Sequence, residues 1–340
     1  MKVASSLVAG QHAGPELVEQ AVHQALSKAG LSSAEQVILL LSREFSRNPQ
    51  AAILAAARAA GTIQVSGCTT QGVFTEDGWQ IDQAAVAVLV FNSPSKAPVN
   101  DGPTISLCSN SSLPFHWQGS APRAGLLNAH GTVWHRARIA TNGLAEVNFP
   151  GLKFQQILST GLHALGKPLP VEEVKSYELR RMGNQLATDC LIRKLPAELR
   201  EHPPWHHISL LRSADTPAIA ILSANADGSL TLAAELREGE IIQCAIRQPL
   251  FAEQEIHQSL NATVHTSKTP NFDFAMMFSC IGRGPLFYGD DDRDLLAFRK
   301  TFPDTPLIGG YGSGQIAFSA ASNHLFNNTA VTLLCESVHV

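Results

Sequence analysis

The residues best suited to chemistry lie near the C-terminus. Cys280-Ile-Gly-Arg-Gly284 follows a continuous apolar run, Ala275 to Phe278. Such a run reads as a strand covered on both faces. A thiol at a strand end, three residues from a guanidinium, could be held as a thiolate if the arginine turns back. Arg283 is also a natural holder of a carboxylate or phosphate, because its planar fork meets two oxygens at once. Gly282 and Gly284 flank it and let the backbone turn sharply or approach a ligand closely. A second candidate follows, Pro306-Leu-Ile-Gly-Gly-Tyr-Gly-Ser-Gly-Gln315-Ile-Ala-Phe318. Gly309, Gly310, Gly312 and Gly314, with Ser313 between the last two, suggest a loop whose backbone amides face an anion. Tyr311 and Gln315 would supply specificity.

Each candidate has a plainer reading. Cys280 is also what a buried small hydrophobe looks like. A nucleophilic role needs a nearby base and an oxyanion site, and the sequence displays neither. Arg283 could form a surface ion pair, and the glycine stretch could be a tight turn. It is not a dinucleotide loop: Gln315-Ile-Ala-Phe318 reads as extended rather than helical, and no acidic residue follows at the required distance. Asp290-Asp-Asp-Arg-Asp294 resembles a calcium loop only at its start. The sixth and twelfth positions hold Leu295 and Thr301, so helix capping is the better account. His202, His206 and His207 surround Trp205 in a polar, proline-containing loop and read as solvated rather than metal-binding. No metal ligand set, cofactor motif or catalytic constellation is assigned.

The elements that must position these groups alternate between strand and helix. Val3 to Val8 reads as a strand. Leu17, Val18, Ala21, Val22, Ala25 and Leu26 recur at helical spacing, with Pro15 at the start and Gly30 at the stop. Gln36 to Leu41 is a strand, Asn48 to Gly61 a helix, and Thr62 to Ser66 a strand entering Gly67-Cys-Thr-Thr-Gln71. Cys68, Thr69 and Thr70 therefore stand where the 309–315 loop stands in the second half. Ala84 to Phe91 is another strand. Asn92 to Gly125 reads as surface loop with short strands, Gly131 to Thr141 as a half-exposed strand, and Leu152 to Leu165 as a helix. Ala218 to Leu222 and Leu230 to Ala234 form a hairpin about Asn225-Ala-Asp-Gly228. Phe251 to Leu260 and Asp294 to Phe302 read as helices, and Phe274 to Phe278, Thr305 to Ile308 and Thr329 to Cys335 as strands. The expected fold is α/β: two related units with mixed sheets, a pseudo-repeat packed around a shared cleft.

Three stretches carry a family resemblance: Cys280-Ile-Gly-Arg-Gly284, Pro306 to Ile316, and Leu325-Phe-Asn-Asn-Thr-Ala-Val331. Val65-Ser-Gly-Cys-Thr-Thr-Gln-Gly72 adds a fourth near the N-terminus. The chain resembles the FIST family, named for F-box and intracellular signal transduction proteins. The resemblance is faint between residues 92 and 205. It departs from the family at one point, where Gln315 replaces the usual glutamate and removes a charge. The resemblance implies an N-terminal FIST part, residues 1–147, and a C-terminal one, residues 148–340. It also implies a sensory or signalling role, with amino acids or similar small metabolites as candidate ligands.

Composition sets outer limits. Of 340 residues, 44% are apolar and 16% charged, and the formal net charge is −4, which describes a globular chain without a basic patch for nucleic acid or an anionic membrane. The six cysteines are far apart with no Cys-x-x-Cys, which fits a reducing cytoplasm rather than a disulfide or zinc framework. No apolar stretch approaches the roughly 18–20 residues of a membrane span. The expected activity is ligand binding between the two halves. Its contacts would be Cys280, Gly282, Arg283, Gly284, Gly309 to Gln315, and Cys68 to Thr70. Arg283 would hold the ligand's carboxylate, and a separate, unidentified downstream protein would carry the signal. Two alternatives are a cysteine enzyme using Cys280 on a small carboxylate-bearing substrate, and a scaffold without a ligand site.

Overall fold

The computed structural model describes residues 1–92, 103–266 and 272–337. Contacts divide the chain into two compact units. Unit 1 comprises residues 1–160 and 255–340, and unit 2 residues 161–254. The chain begins with β1 (Lys2–Gly10), α1 (Pro15–Ala29), β2 (Gln36–Ser42), α2 (Pro49–Ala60) and β3 (Val65–Thr70). There follow β4 (Gly72–Thr75), β5 (Gly78–Ile81), β6 (Ala84–Asn92), β7 (Thr104–Cys108), the one-turn helix α3 (Phe115–Gln118), β8 (Arg123–Leu127), β9 (Val133–His135), β10 (Arg138–Ile139), β11 (Leu144–Val147) and β12 (Leu152–Ser159). Unit 2 holds β13 (Leu162–Lys175), β14 (Glu178–Met182), β15 (Gln185–Leu186), α4 (Ala187–Lys194), β16 (Ile208–Leu211), β17 (Ile219–Ala224), β18 (Leu230–Leu232) and β19 (Ile241–Arg247). After α5 (Pro249–Thr266) come β20 (Phe274–Cys280), α6 (Pro285–Tyr288), α7 (Arg293–Thr301), β21 (Leu307–Gly312), β22 (Gly314–Ser319), β23 (Ser322–Phe326) and β24 (Ala330–Ser337).

The helices arise where the apolar spacing demands them. In α1, Val18, Ala21, Val22, Ala25 and Leu26 are buried, Pro15 occupies the first turn, and Gly30 closes the helix at φ 62°. Unit 1 builds three sheets. The first has the order β1-β6-β2-β3-β9-β10 and the second β12-β24-β20-β21-β4-β5. Both share one pairing scheme: two antiparallel steps, one parallel step (β2 with β3, β20 with β21), then two antiparallel steps. The third sheet, β11-β7-β8-β22-β23, contains a further parallel pair, β7 with β8. Inward-facing residues of all three sheets meet in one core that includes Leu40, Leu89, Leu126, Phe278 and Leu333. The mixed α/β architecture matches the reading from the sequence. In unit 2 one seven-stranded sheet packs with α4 around its own core.

Strands exchange between sheets. Directly after β3, β4 leaves the first sheet and pairs with β21 in the second. Directly after β21, β22 pairs with β8 in the third.

Several local expectations are corrected. Leu152 to Leu165 is not a helix but β12 and the start of β13, because eight successive residues of β12 pair with β24. Here the sheet partner overrides the local spacing. The glycine stretch 309–312 is not a loop; it is the body of β21, and only Ser313 separates it from β22. Residues 65–70 are likewise a strand, with Gly67 inside it. These glycines serve close approach. A Cβ on Gly67 would lie 1.7 Å from the Leu39 carbonyl oxygen, and one on Gly309 would lie 2.0 Å from the Phe74 ring. Gly131 to Thr141 contains two short strands, β9 and β10, rather than one. Of the loop expected over 92–125, residues 93–102 lie outside the described residues. The hairpin about Asp227-Gly228 forms as read, with Gly228 at φ 82°.

Gly67→Ala should destabilise unit 1 by about 3 kcal/mol or more, since the added methyl meets backbone that cannot rotate away. Urea unfolding of the variant against the parent measures this. A cost within ~0.5 kcal/mol would contradict the packing described.

Candidate functional site

Side chains alternate across a strand, so β21 presents its residues to two different places. Ile308 lies in the central core, and Leu307 and Tyr311 in the cluster under α7. A Cβ on Gly310 would meet Thr70 and Leu40, and one on Gly312 would meet Leu126, both on the core side. On β20 the same alternation puts Cys280 on the face of Met276 and Phe278, which belong to the central core. The residues proposed from the sequence therefore fall into two sets. Cys68, Thr70, Gly310, Gly312, Gln315 and Cys280 belong to the core side. Arg283 and Tyr311 belong to the helix side. Gly284 underlies the Tyr311 ring, where an added Cβ would come within 2.6 Å of Cε1.

The strand ends on the core side are tied together. The Gln71 N–H donates to the Tyr311 carbonyl at 2.8 Å, and the Ile281 N–H to Gly312 at 3.0 Å. The Thr70 hydroxyl donates to the carbonyls of Leu41 and Gly72. Asn128 donates to the Thr69 carbonyl at 2.8 Å, and the Thr69 hydroxyl accepts from the Thr132 N–H at 2.8 Å. Exposed Ser313 donates to the Leu127 carbonyl. The Cys280 thiol donates to Asn328 Oδ1 at 3.7 Å, and a Cβ on Gly282 would lie 2.7 Å from the same oxygen. Burial pushes the Cys68 thiol well above the usual range, so it packs as a neutral group.

One side chain in this set lacks partners. Gln315 is fully buried, and neither Nε2 nor Oε1 has a hydrogen-bond partner among the described residues. Its neighbours across the sheet are Leu126 and Phe326. An unpaired buried amide costs about 1–3 kcal/mol, so this carboxamide is a polar group whose burial the surrounding protein leaves uncompensated.

On the helix side, the Arg283 fork expected to hold a ligand is filled from within. Nε donates to Asp294 Oδ2 at 2.7 Å and Nη2 to Oδ1 at 3.1 Å. Nη1 donates to the Ser159 carbonyl and Nη2 to its hydroxyl, each at 2.7 Å. Arg283 and Asp294 are both fully buried. Burial alone would drive the guanidinium pKa down; the Asp294 carboxylate more than reverses this and holds it charged. The Tyr288 hydroxyl donates to Asp294 at 2.7 Å.

Asp292 is the second carboxylate of this cluster. It caps α7, accepting from the Leu295 N–H at 3.0 Å, and accepts from the Tyr311 hydroxyl. Burial first, and the Asp294 charge second, push its carboxyl up to about 6. It borders a cavity of about 250 Å³ lined also by Trp79, Asp291, Leu295, Leu296 and Arg299.

The sequence reading missed Asp292, Asp294, Trp79 and Asn328 as site residues. The acidic run 290–294 was legible as helix capping, which Asp292 performs. Nothing in its spacing revealed that Asp294 would turn inward to Arg283. Asn328 lies within a stretch that carries the family resemblance, and Trp79 had no signal.

Residues 187–318 match the family model of the FIST C domain, which supports the family assignment made from the motifs. The matched span includes residues 280–284 and 309–315 but not 68–70. Uncharacterized protein Rv0628c of Mycobacterium tuberculosis is 21% identical over 205 residues, covering 56% of this chain and 53% of that protein. Uncharacterized protein Mb0898c of Mycobacterium bovis is 22% identical over 314 residues, covering 87% and 80%. The chain thus spans about half the length of the first relative. No helix among the described residues is long and apolar enough to cross a membrane.

Arg283→Ala should cost about 3–5 kcal/mol in urea unfolding, because Asp294 is left buried without its counter-charge. A cost below ~1 kcal/mol would show the pair to be dispensable. Asp292 titrates in the opposite sense from a salt-bridged acid. Its folded carboxyl lies above the ordinary value of 3.8, so its stabilising share is present below that value and is lost as pH rises through about 6. Asp292→Asn keeps the cap and should flatten that part of the stability profile. At neutral pH it should be more stable than the parent by on the order of 1–3 kcal/mol.

Proposed function

We propose that this FIST-family chain is a sensory protein that binds a small metabolite of the amino-acid type at the strand ends around Gln315. The observation that carries the reading is the Gln315 carboxamide, fully buried with both polar atoms unpartnered. One donor and one acceptor on a single side chain suit a ligand that presents a carboxylate oxygen beside an N–H. The absent charge at this position fits such a neutral, two-way contact. Cys280, Gly282, Gly310, Gly312, Cys68, Thr69 and Thr70 form the surrounding wall in this reading, with Gly309, Tyr311, Ser313 and Gly314 fixing the strand ends. Arg283 and Gly284 support it from the helix side, and Arg283 acts by tying the turn after β20 to Ser159 at the end of β12 rather than by holding the ligand.

The hydrogen bonding of Cys280 favours binding over catalysis. Its partner is the Asn328 oxygen, which cannot take a proton as a general base. The common pairing scheme of the first two sheets supports reading them as copies of one unit, with residues 1–147 and 148–340 as the N- and C-terminal parts. Output passes to a separate protein in this account.

A thermal-shift screen against amino acids and related metabolites tests the reading, because a ligand that binds only the folded state raises its stability. Gln315→Leu, close in volume, should raise intrinsic stability by about 1–3 kcal/mol and abolish the ligand response. A response that persists undiminished in Gln315→Leu would refute the site.

A further inference from the structure

The cavity beside Asp292 is separate from the Gln315 strand ends and faces the other side of β21. Its chemistry is unusual for a surface hollow. Asp292 is 1% exposed, yet among the described residues it has no ion-pair partner. The nearby guanidinium of Arg283 is committed to Asp294 and Ser159. The groups around Asp292 are Asp291 beside it, Asp294 and Arg299 on α7, Tyr288 on α6, Arg283 in the turn before α6, and Tyr311 on β21. Two are acids, two are phenols held neutral by burial, and two are guanidinium groups, of which Arg283 offsets part of the upward push on Asp292. The N-terminus of α7 supplies one N–H but no counter-ion. A carboxylate has about four acceptor positions, and Asp292 uses two, on Leu295 and Tyr311.

We propose that this cavity is a site for a small primary ammonium group carried on a short apolar body, with Asp292 as its anionic anchor. The volume, about 250 Å³, suits a molecule of a few heavy atoms. Asp291 shares the cavity and reinforces the preference for a cation. Trp79 provides an aromatic face, to which an ammonium is drawn by the ring quadrupole, and Leu295 and Leu296 receive the apolar body. Leu296, at 45% exposure, is uncovered without such a guest. Arg299 at the rim rejects a second cation and accepts a carboxylate where the guest carries one.

Binding is linked to protons. With its carboxyl up near 6, Asp292 holds a proton over the lower part of the physiological range. An arriving ammonium favours the ionised form, so that proton leaves to solvent and affinity rises with pH. Because Asp292 also caps α7 and receives the Tyr311 hydroxyl, its protonation state reaches both the helix start and β21.

The test uses n-butylammonium chloride as the probe, with sodium butyrate and sodium chloride matched in ionic strength. At about pH 7.5, butylammonium at roughly ten times its Kd should raise the Tm of the full chain by about 2–3 °C, and butyrate should not. The rise should shrink at about pH 5, where Asp292 is protonated. Asp292→Asn, which retains the cap, should lose the response, and Trp79→Ala should weaken it. Gln315→Leu should keep it, which distinguishes this site from the one at the strand ends. No rise in the parent protein at about pH 7.5, or an equal rise in Asp292→Asn, overturns the proposal.

Discussion

Two buried carboxylates and one guanidinium organise the junction of β20, β21, α6 and α7. Taking such charges from water is expensive, and the expense is tolerated only where geometry and hydrogen bonds are complete. The Arg283–Asp294 pair meets that demand. All three guanidinium nitrogens bond, to Asp294 and to the backbone and hydroxyl of Ser159. The pair therefore joins β12, α7 and the turn after β20. Among the described residues Asp292 has no ion-pair partner of its own, and this asymmetry gives the cluster its chemical interest.

Strand alternation decides what can act together. Cys280 and Arg283 are three residues apart, and sequence spacing brought them into one imagined hollow. The strand sends the thiol to the central core, and the following turn sends the guanidinium beneath α7. Tyr311 and Gln315, both read as specificity groups, part in the same way: Tyr311 reaches Asp292, and Gln315 stands with Leu126 and Phe326. The glycines that suggested a loop are strand residues beside neighbours that leave no room for a methyl.

Much of the fold was legible because its signals are local. Helices α1 and α2 declare themselves by apolar spacing, an opening proline and a closing glycine. The buried strands β2 and β20 declare themselves by unbroken apolar runs. Long-range pairing was not legible. Leu152 to Ser159 looks helical by itself and is extended because β24 lies alongside it. Of the candidate site, the motifs placed Cys280 at the end of β20 and Gly309 to Gly312 beside it, but the inward turn of Asp294 to Arg283 and the place of Trp79 beside Asp292 depend on packing. The missing hydrogen bonds of Gln315 are a property of its surroundings, so no reading of residue types would have found them.

The exchange of β4 and β22 between sheets has a consequence for how the chain comes into being. The Glu76 carboxylate bonds the backbone of Leu307, 231 positions later. During synthesis, the hairpin at 72–81 must wait, its outer partner unmade, while the whole of unit 2 emerges. Loop-closure entropy makes such distant pairings slow to form, and an unpaired strand edge is a template for the wrong neighbour in the meantime. The interleaving that joins the two ends of the polypeptide thus leaves the newborn chain dependent on whatever shields that edge until β21 arrives.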